Sequence, residues 1–197
     1  MIGTSSAVDT RTSYLGLSLS TPLIASSSPL CEKVDNLMCM EAAGAGAIVL
    51  QSLFEEQFAL ESEAIDDSLL KGAESYGEAL SYFPNVGEYT NGPERYLAHV
   101  ESARKALSIP LIASLNGVSP TGWTGFAKQI QSAGADALEL NVYYIPADPN
   151  ITSQEVEDRY TDLVSMVSQA VTIPVAVKVG PYFSAPAHLF RRLGEAG

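Results

Sequence analysis

Cysteine is scarce in this 197-residue chain: there are two, Cys31 and Cys39, with no ligand-like cluster around them. That excludes a disulfide-stapled scaffold and a cysteine-built zinc site, and two free thiols in a reducing compartment are expected. Positive charge is scarce too. Eleven Lys and Arg face 23 Asp and Glu, for a net charge of -12 and a pI of about 4.4. Nucleic acid and anionic membrane repel such a chain, so neither is expected as a partner, although a local pocket for an anion stays open. No run approaches the ~18 apolar residues of a spanning helix. The opening MIGTSSAVDTRTS lacks the charged and apolar regions of a signal peptide. A cytoplasmic protein is the expectation. Neither His99 nor His188 lies in a ligand-like cluster, and each reads as a solvated helical histidine. Asp148, Asn150 and Asp158 do not have calcium-loop spacing, so no metal is expected. Ser26–Ser28 has no nucleophile-elbow context.

What is present is a globular composition, 46% hydrophobic and 17% charged. Short aliphatic runs recur at Pro22–Ser26, Ala47–Ser52, Pro110–Asn116, Ala137–Val142 and Pro174–Val179. Near-continuous apolar runs of this length suit parallel strands covered by helices. Helical patterns lie between them at Glu32–Ala43, Pro93–Leu107, Trp123–Ala133 and Ser153–Val171. In the second, Tyr96, Val100, Ala103 and Leu107 share a face; in the last, Val156, Tyr160, Leu163, Val164 and Val167 do. Trp123 and Phe126 read as core packing. Strand followed by helix, repeated, predicts right-handed βαβ units. Tyr14–Thr21 alternates apolar and polar, as a small hairpin closing a barrel bottom would.

Two internal echoes support a repeated unit. Ala43–Leu50 (AGAGAIVL) matches Ala133–Leu140 (AGADALEL), and Ser108–Leu115 (SIPLIASL) matches Thr172–Val179 (TIPVAVKV). The expected fold is α/β: a (β/α)8 TIM barrel, truncated after about five βα units, because the closing GEAG repeats the helix-ending signal and a full barrel needs roughly 250 residues. The whole of 1–197 reads as one domain, the N-terminal part of that barrel. A long connection at about 53–92 interrupts the short loops, with a helix around Glu55–Leu69. An unclosed barrel is expected to self-associate through its uncovered edge.

Strand parity separates the faces. Leu138, Leu140 and Val142 share one side; Ala137, Glu139 and Asn141 share the other. Val175, Val177 and Val179 oppose Ala176 and Lys178. The mixed faces point into the barrel, and Gln51, Ser114 and Asn116 join them by the same count. Barrel active sites lie at the carboxyl ends of the strands, where these residues sit. A lysine within VAVKV demands a partner. That partner is either Glu139, in an ion pair across the barrel floor, or a ligand beside a cationic group.

Ala45–Ser52 (AGAIVLQS), Glu139–Val142 (ELNV), Val177–Phe183 (VKVGPYF) and Pro22–Cys31 (PLIASSSPLC) together resemble the flavin-site motifs of class 1 dihydroorotate dehydrogenases. SLFEEQ, IASLNG and ALELNVY match a dihydroorotate dehydrogenase-like subgroup. The resemblance runs from about Tyr14 to the end. It implies FMN as cofactor, with the backbone of Ser26 and Ser27 against the flavin. It implies Asn116 and Asn141 hydrogen-bonded to the ring or ribityl chain, and Lys178 at the N1/C2 carbonyl edge. Where the family has a flavin-site lysine, this chain has Gln51. Where it has a cysteine or serine base, this chain has Tyr144, and a phenol is a poor base near neutral pH. Where its substrate site has an asparagine, ungapped matching gives Ala79.

The expected function is therefore an FMN-dependent oxidoreductase acting on a small-molecule substrate, dihydroorotate or a relative, with its base position altered. Two alternatives stand beside it. One is a flavin-binding homologue with weak or no such activity. The other is a barrel lyase using Lys178 as a Schiff-base amine. A homodimer is the assembly to be tested.

Overall fold

The computed structural model describes residues 8–55, 92–117 and 120–197. The region around Ala79 and Phe83–Asn85, and most of the connection at 53–92, therefore lie outside the described residues. Strands β1 (Thr12–Tyr14) and β2 (Leu17–Leu19) form an antiparallel hairpin. Its two-residue turn, Leu15 and Gly16, has positive φ at both positions (54° and 75°), the conformation that matches strand twist. The predicted hairpin is present, two residues earlier than its alternation suggested.

Strands β3 (Ile24–Ala25), β4 (Ala47–Phe54), β5 (Leu111–Asn116), β6 (Ala137–Asn141) and β7 (Val175–Lys178) pair in parallel and in chain order. A 3-10 turn at Pro29–Glu32 leads into α1 (Val34–Ala42). Helices α2 (Gly92–Ala106), α3 (Pro120–Ser132), α4 (Ser153–Ala170) and α5 (Pro186–Ala196) follow the later strands. Sequential parallel strands with helices between them are the layout of a (β/α) barrel. The first predicted helix starts later than its pattern because Pro29 directs the chain into the 3-10 turn first.

Strand parity holds where pairing is regular. Ile48, Leu50, Leu111, Leu115, Leu138 and Leu140 are fully buried in the cluster that includes the faces of α2 and α3. On the other side Ala47, Val49, Ile112 and Ala137 meet Leu19 of the hairpin. This second cluster is an apolar floor at the amino ends of the strands, which the hairpin covers.

Parity fails once, in β4. Val49 pairs with Ile112, but the next aligned pair is Ser52 with Ser114, so β4 holds one extra residue and Gln51 lies at the bulge. Ser52 rather than Gln51 is thereby aligned with Ser114. The Pro110 carbonyl faces β4, where it accepts from Ile48, and Ser114 faces the same way four residues on. Its N–H donates to the buried Tyr96 hydroxyl and its C=O accepts from it, each at 3.1 Å. Burial pushes the Tyr96 phenol well above its ordinary range, so it stays protonated. Tyr96→Phe should cost about 1 kcal/mol, because two buried backbone groups lose the hydroxyl's hydrogen bonds while the packing survives. Urea unfolding measures it; an unchanged midpoint would mean that the bulge closes without the hydroxyl.

The internal echoes are structural. Gly44 (φ 97°) and Gly134 (φ 99°) end α1 and α3 with the same hydrogen bonds back into the last turn. Three residues before each glycine, a side chain clamps the next Ile-Pro turn. The Glu41 carboxylate accepts from the N–H groups of Ser108 and Ile109, and the Gln131 amide oxygen from those of Thr172 and Ile173. Hydrogen bonds from Ser108 hold the Glu41 carboxyl below its usual range. Its contribution is therefore full above the unfolded carboxyl range, about pH 4.3, and is lost as pH falls through the lower folded value. Glu41→Gln copies the second clamp and removes the titration. Its melting temperature should fall less steeply than that of the parent protein between pH 5 and 3; parallel curves would contradict this.

Candidate functional site

Above the apolar floor, the inner face turns polar toward the carboxyl ends of the strands. Four adjacent strands contribute one continuous chain. Ser52 Oγ lies 2.7 Å from Ser114 Oγ, Ser114 Oγ lies 3.3 Å from Glu139 Oε1, and Lys178 Nζ lies 3.0 Å from the same oxygen. A carboxylate only accepts, so Ser114 donates to Glu139 and Ser52 in turn donates to Ser114. The Lys178–Glu139 pair thus exists, one layer above the floor rather than on it. Glu139 is largely enclosed, with 18% of its side chain exposed, whereas Lys178 has 49% exposed and can reach a ligand.

Asn141 pairs in register with Lys178, and Asn116 pairs with Phe54. All four stand at the last positions of their strands, the carboxyl ends at which the sequence placed Asn116, Asn141 and Lys178. Ser26 and Ser27 follow β3 directly, at the opposite edge of the sheet from β7. The loop they begin is pinned. The Cys31 thiol lies 3.6 Å from the Ser26 carbonyl, and His99 Nε2 donates to the Cys31 carbonyl at 2.8 Å. His99 is therefore a half-buried clamp, not the solvated histidine its sequence context suggested. His188 is exposed, 3.9 Å from Glu157.

A cleft of about 770 Å³ opens at the carboxyl ends of β5 and β6, beside α3 and α4. Asn116, Trp123, Tyr144 and Arg159 line it together with Phe54. Gly117 shapes one wall: a Cβ there would lie 2.9 Å from the Trp123 ring, so the indole packs directly on bare backbone. Trp123 is both core, as predicted, and cleft wall. Tyr144 is 38% exposed, and its hydroxyl accepts from Arg159 Nη1 at 2.9 Å. Arg159 had no signal in the sequence, where it reads as one more charged helix residue. Ser52 was missed because parity cannot see a bulge; Tyr96 lies on the buried helix face that its spacing predicts, and only its bond to Ser114 had no signal. Among the described residues, no His, Cys, Asp and Glu group is arranged to hold a metal, and no helix is long and apolar enough to cross a membrane.

The fold and the inner-face row define a (β/α)-barrel protein with a polar carboxyl-end face. The chain is similar to two dihydroorotate dehydrogenase B (NAD(+)) catalytic subunits. One, from Thermoplasma acidophilum, is 25% identical over 182 residues, covering 89% of this chain and 56% of the relative. The other, from Methanocella arvoryzae, is 28% identical over 172 residues, covering 84% and 52%. The chain thus spans about half the length of these relatives. No family model matches it. Among solved structures it is similar to a dihydrodipicolinate synthase from Agrobacterium tumefaciens (TM-score 0.52, 18% identity, 86% of this chain and 50% of that one). A 2,3-dimethylmalate lyase matches comparably (TM-score 0.52, 14% identity, 89% and 56%). These solved structures share the barrel fold; at such identity they say nothing of chemistry.

Proposed function

We propose that this chain carries part of the cofactor face of an FMN-dependent oxidoreductase of the dihydroorotate dehydrogenase type. The observation that supports it most is the common height of Asn116, Asn141 and Lys178 at the carboxyl ends of β5, β6 and β7. Two amides and an exposed ammonium form a donor set suited to the carbonyl edge of a flavin. When bound, FMN would supply hydride acceptance, which leaves negative charge at the N1 edge, and a fixed ammonium stabilises that charge. Lys178 would meet that edge, Asn116 and Asn141 the ring or ribityl chain, and the backbone of Ser26 and Ser27 the flavin face. Gln51 stands at the bulge as a neutral neighbour.

One feature sets this chain apart from that type: a phenol, Tyr144, stands where that type has a cysteine or serine base, and Arg159 donates to its oxygen. It favours, as a second reading, a flavin protein with weak dihydroorotate oxidation. The Schiff-base reading has less support, because Lys178 stands as a donor to a carboxylate and such chemistry needs a neutral amine. Titrating FMN into the purified full chain tests the proposal. Quenched flavin fluorescence and a shifted visible band are expected; an unchanged flavin spectrum at excess protein would overturn it.

A further inference from the structure

We propose that Tyr144 and Arg159 form a recognition pair for the carboxylate of a flat, ring-bearing ligand, with Tyr144 acting as a hydrogen-bond donor and not as a base. The inference rests on the reading of the barrel mouth as a small-molecule site. A guanidinium carries five donors and no acceptor. Arg159 Nη1, 2.9 Å from Tyr144 Oη, must therefore donate, and the phenol must accept. The phenol's own hydrogen is turned away from Arg159. Among the described residues it has no other partner, so it is available to an acceptor in the cleft.

Arg159 also has capacity left. No carboxylate lies within 4 Å of it among the described residues, and Glu155, one turn earlier on α4, attracts it only at longer range. Its Cζ lies 5.2 Å from the Tyr144 ring centroid, which adds a cation–π contact and fixes the guanidinium plane near the cleft. Tyr144 is held at its other end by the next residue of α4. The Tyr160 phenol hydrogen-bonds the Tyr144 backbone, and its ring meets Phe183 edge-on at 5.3 Å. The helix itself is fixed by a capping box between Thr152 and Glu155, and by Arg192 of α5, which pairs with Glu157 and Asp158. The pair is thus oriented before any ligand arrives.

The cleft supplies the rest. Its volume of about 770 Å³ suits a small molecule, and Phe54, Trp123 and Tyr143 offer flat apolar walls. Asp162 also lines it and repels an anion from its own side, so a ring with one carboxylate enters with that group toward Arg159.

Trp123 is the chain's single tryptophan, so its emission reports occupancy of the cleft. The probes are benzoate and benzyl alcohol, which share a ring and differ in the anion. Benzoate should change Trp123 emission saturably and bind at least about tenfold more tightly than benzyl alcohol. Arg159→Gln should lower benzoate affinity by about 10- to 150-fold, the worth of a charge-assisted hydrogen bond. Arg159→Lys should keep part of the preference. Tyr144→Phe should cost about 2- to 12-fold, as for a neutral donor. No saturable benzoate signal, equal affinity for the two probes, or unaltered benzoate affinity in folded Arg159→Gln would each overturn the proposal. FMN titrated into the same samples, read by the flavin's visible band, keeps the two readings apart. FMN binding without benzoate binding sinks the pair alone; Arg159-dependent benzoate binding without FMN binding supports the pair and sinks the flavin.

Discussion

Gly46→Ala is expected to destabilise the protein by about 3 kcal/mol or more, at the upper end of overpacking effects. Gly46 precedes β4, and its N–H donates to the Leu23 carbonyl at 2.7 Å. A Cβ at this position would collide with the Thr21 carbonyl oxygen, a backbone atom that cannot turn aside as a side chain would. Either β3 or β4 must move, and with it the register between Ile24 and Ala47. Gly44→Ala provides the contrast. Space is open around Gly44, and only its positive φ opposes a side chain, for about 1–2 kcal/mol. Urea unfolding of the two variants should therefore separate them, with Gly46→Ala much the worse or insoluble. Equal losses would mean that the β3–β4 approach is not tight.

The second large effect concerns chemistry. With FMN bound, anaerobic flavin reduction by dihydroorotate is expected to be about 10²- to 10⁴-fold slower than in a relative with cysteine or serine at the Tyr144 position, the usual worth of general base catalysis. Tyr144 is bulkier than either, and Arg159 already occupies one side of its oxygen. Tyr144→Cys alone should recover little, if Ala79 stands, as ungapped matching gives it, where the family has a substrate-binding asparagine. The Ala79→Asn/Tyr144→Cys double variant should recover more than the sum of the single changes. Rapid stopped-flow reduction of the unaltered protein would sink the idea that the substituted base matters.

Much of the fold was legible because parallel strands and amphipathic helices announce themselves by period. Ala47, Leu111, Ala137 and Val175 begin their strands within a residue of where the aliphatic runs predict. The AGAGAIVL and AGADALEL echo located two helix ends that share one cap geometry. The same echo hid a difference. At the position of Gly46 the second copy has Asp136, whose carboxylate accepts from the Leu111 N–H at 2.8 Å and from Arg104 at 2.6 Å. Period-two counting placed Glu139 and Lys178 on one face, and their contact follows from that. It could not place Ser52, because a bulge is a tertiary outcome, fixed here by a tyrosine eighteen residues before its partner. Arg159 was silent for a related reason: its meaning comes from Tyr144, fifteen residues away across a loop.

The most direct test of the flavin reading is the FMN affinity of Lys178→Ala beside that of the unaltered chain. Removing the ammonium takes away a charge-assisted donor and leaves the Glu139 carboxylate without its cationic partner. Affinity is expected to fall by about 10- to 150-fold, and Lys178→Arg should retain part of it. An FMN affinity unchanged by Lys178→Ala would place any flavin away from the ends of β6 and β7, and would contradict the account.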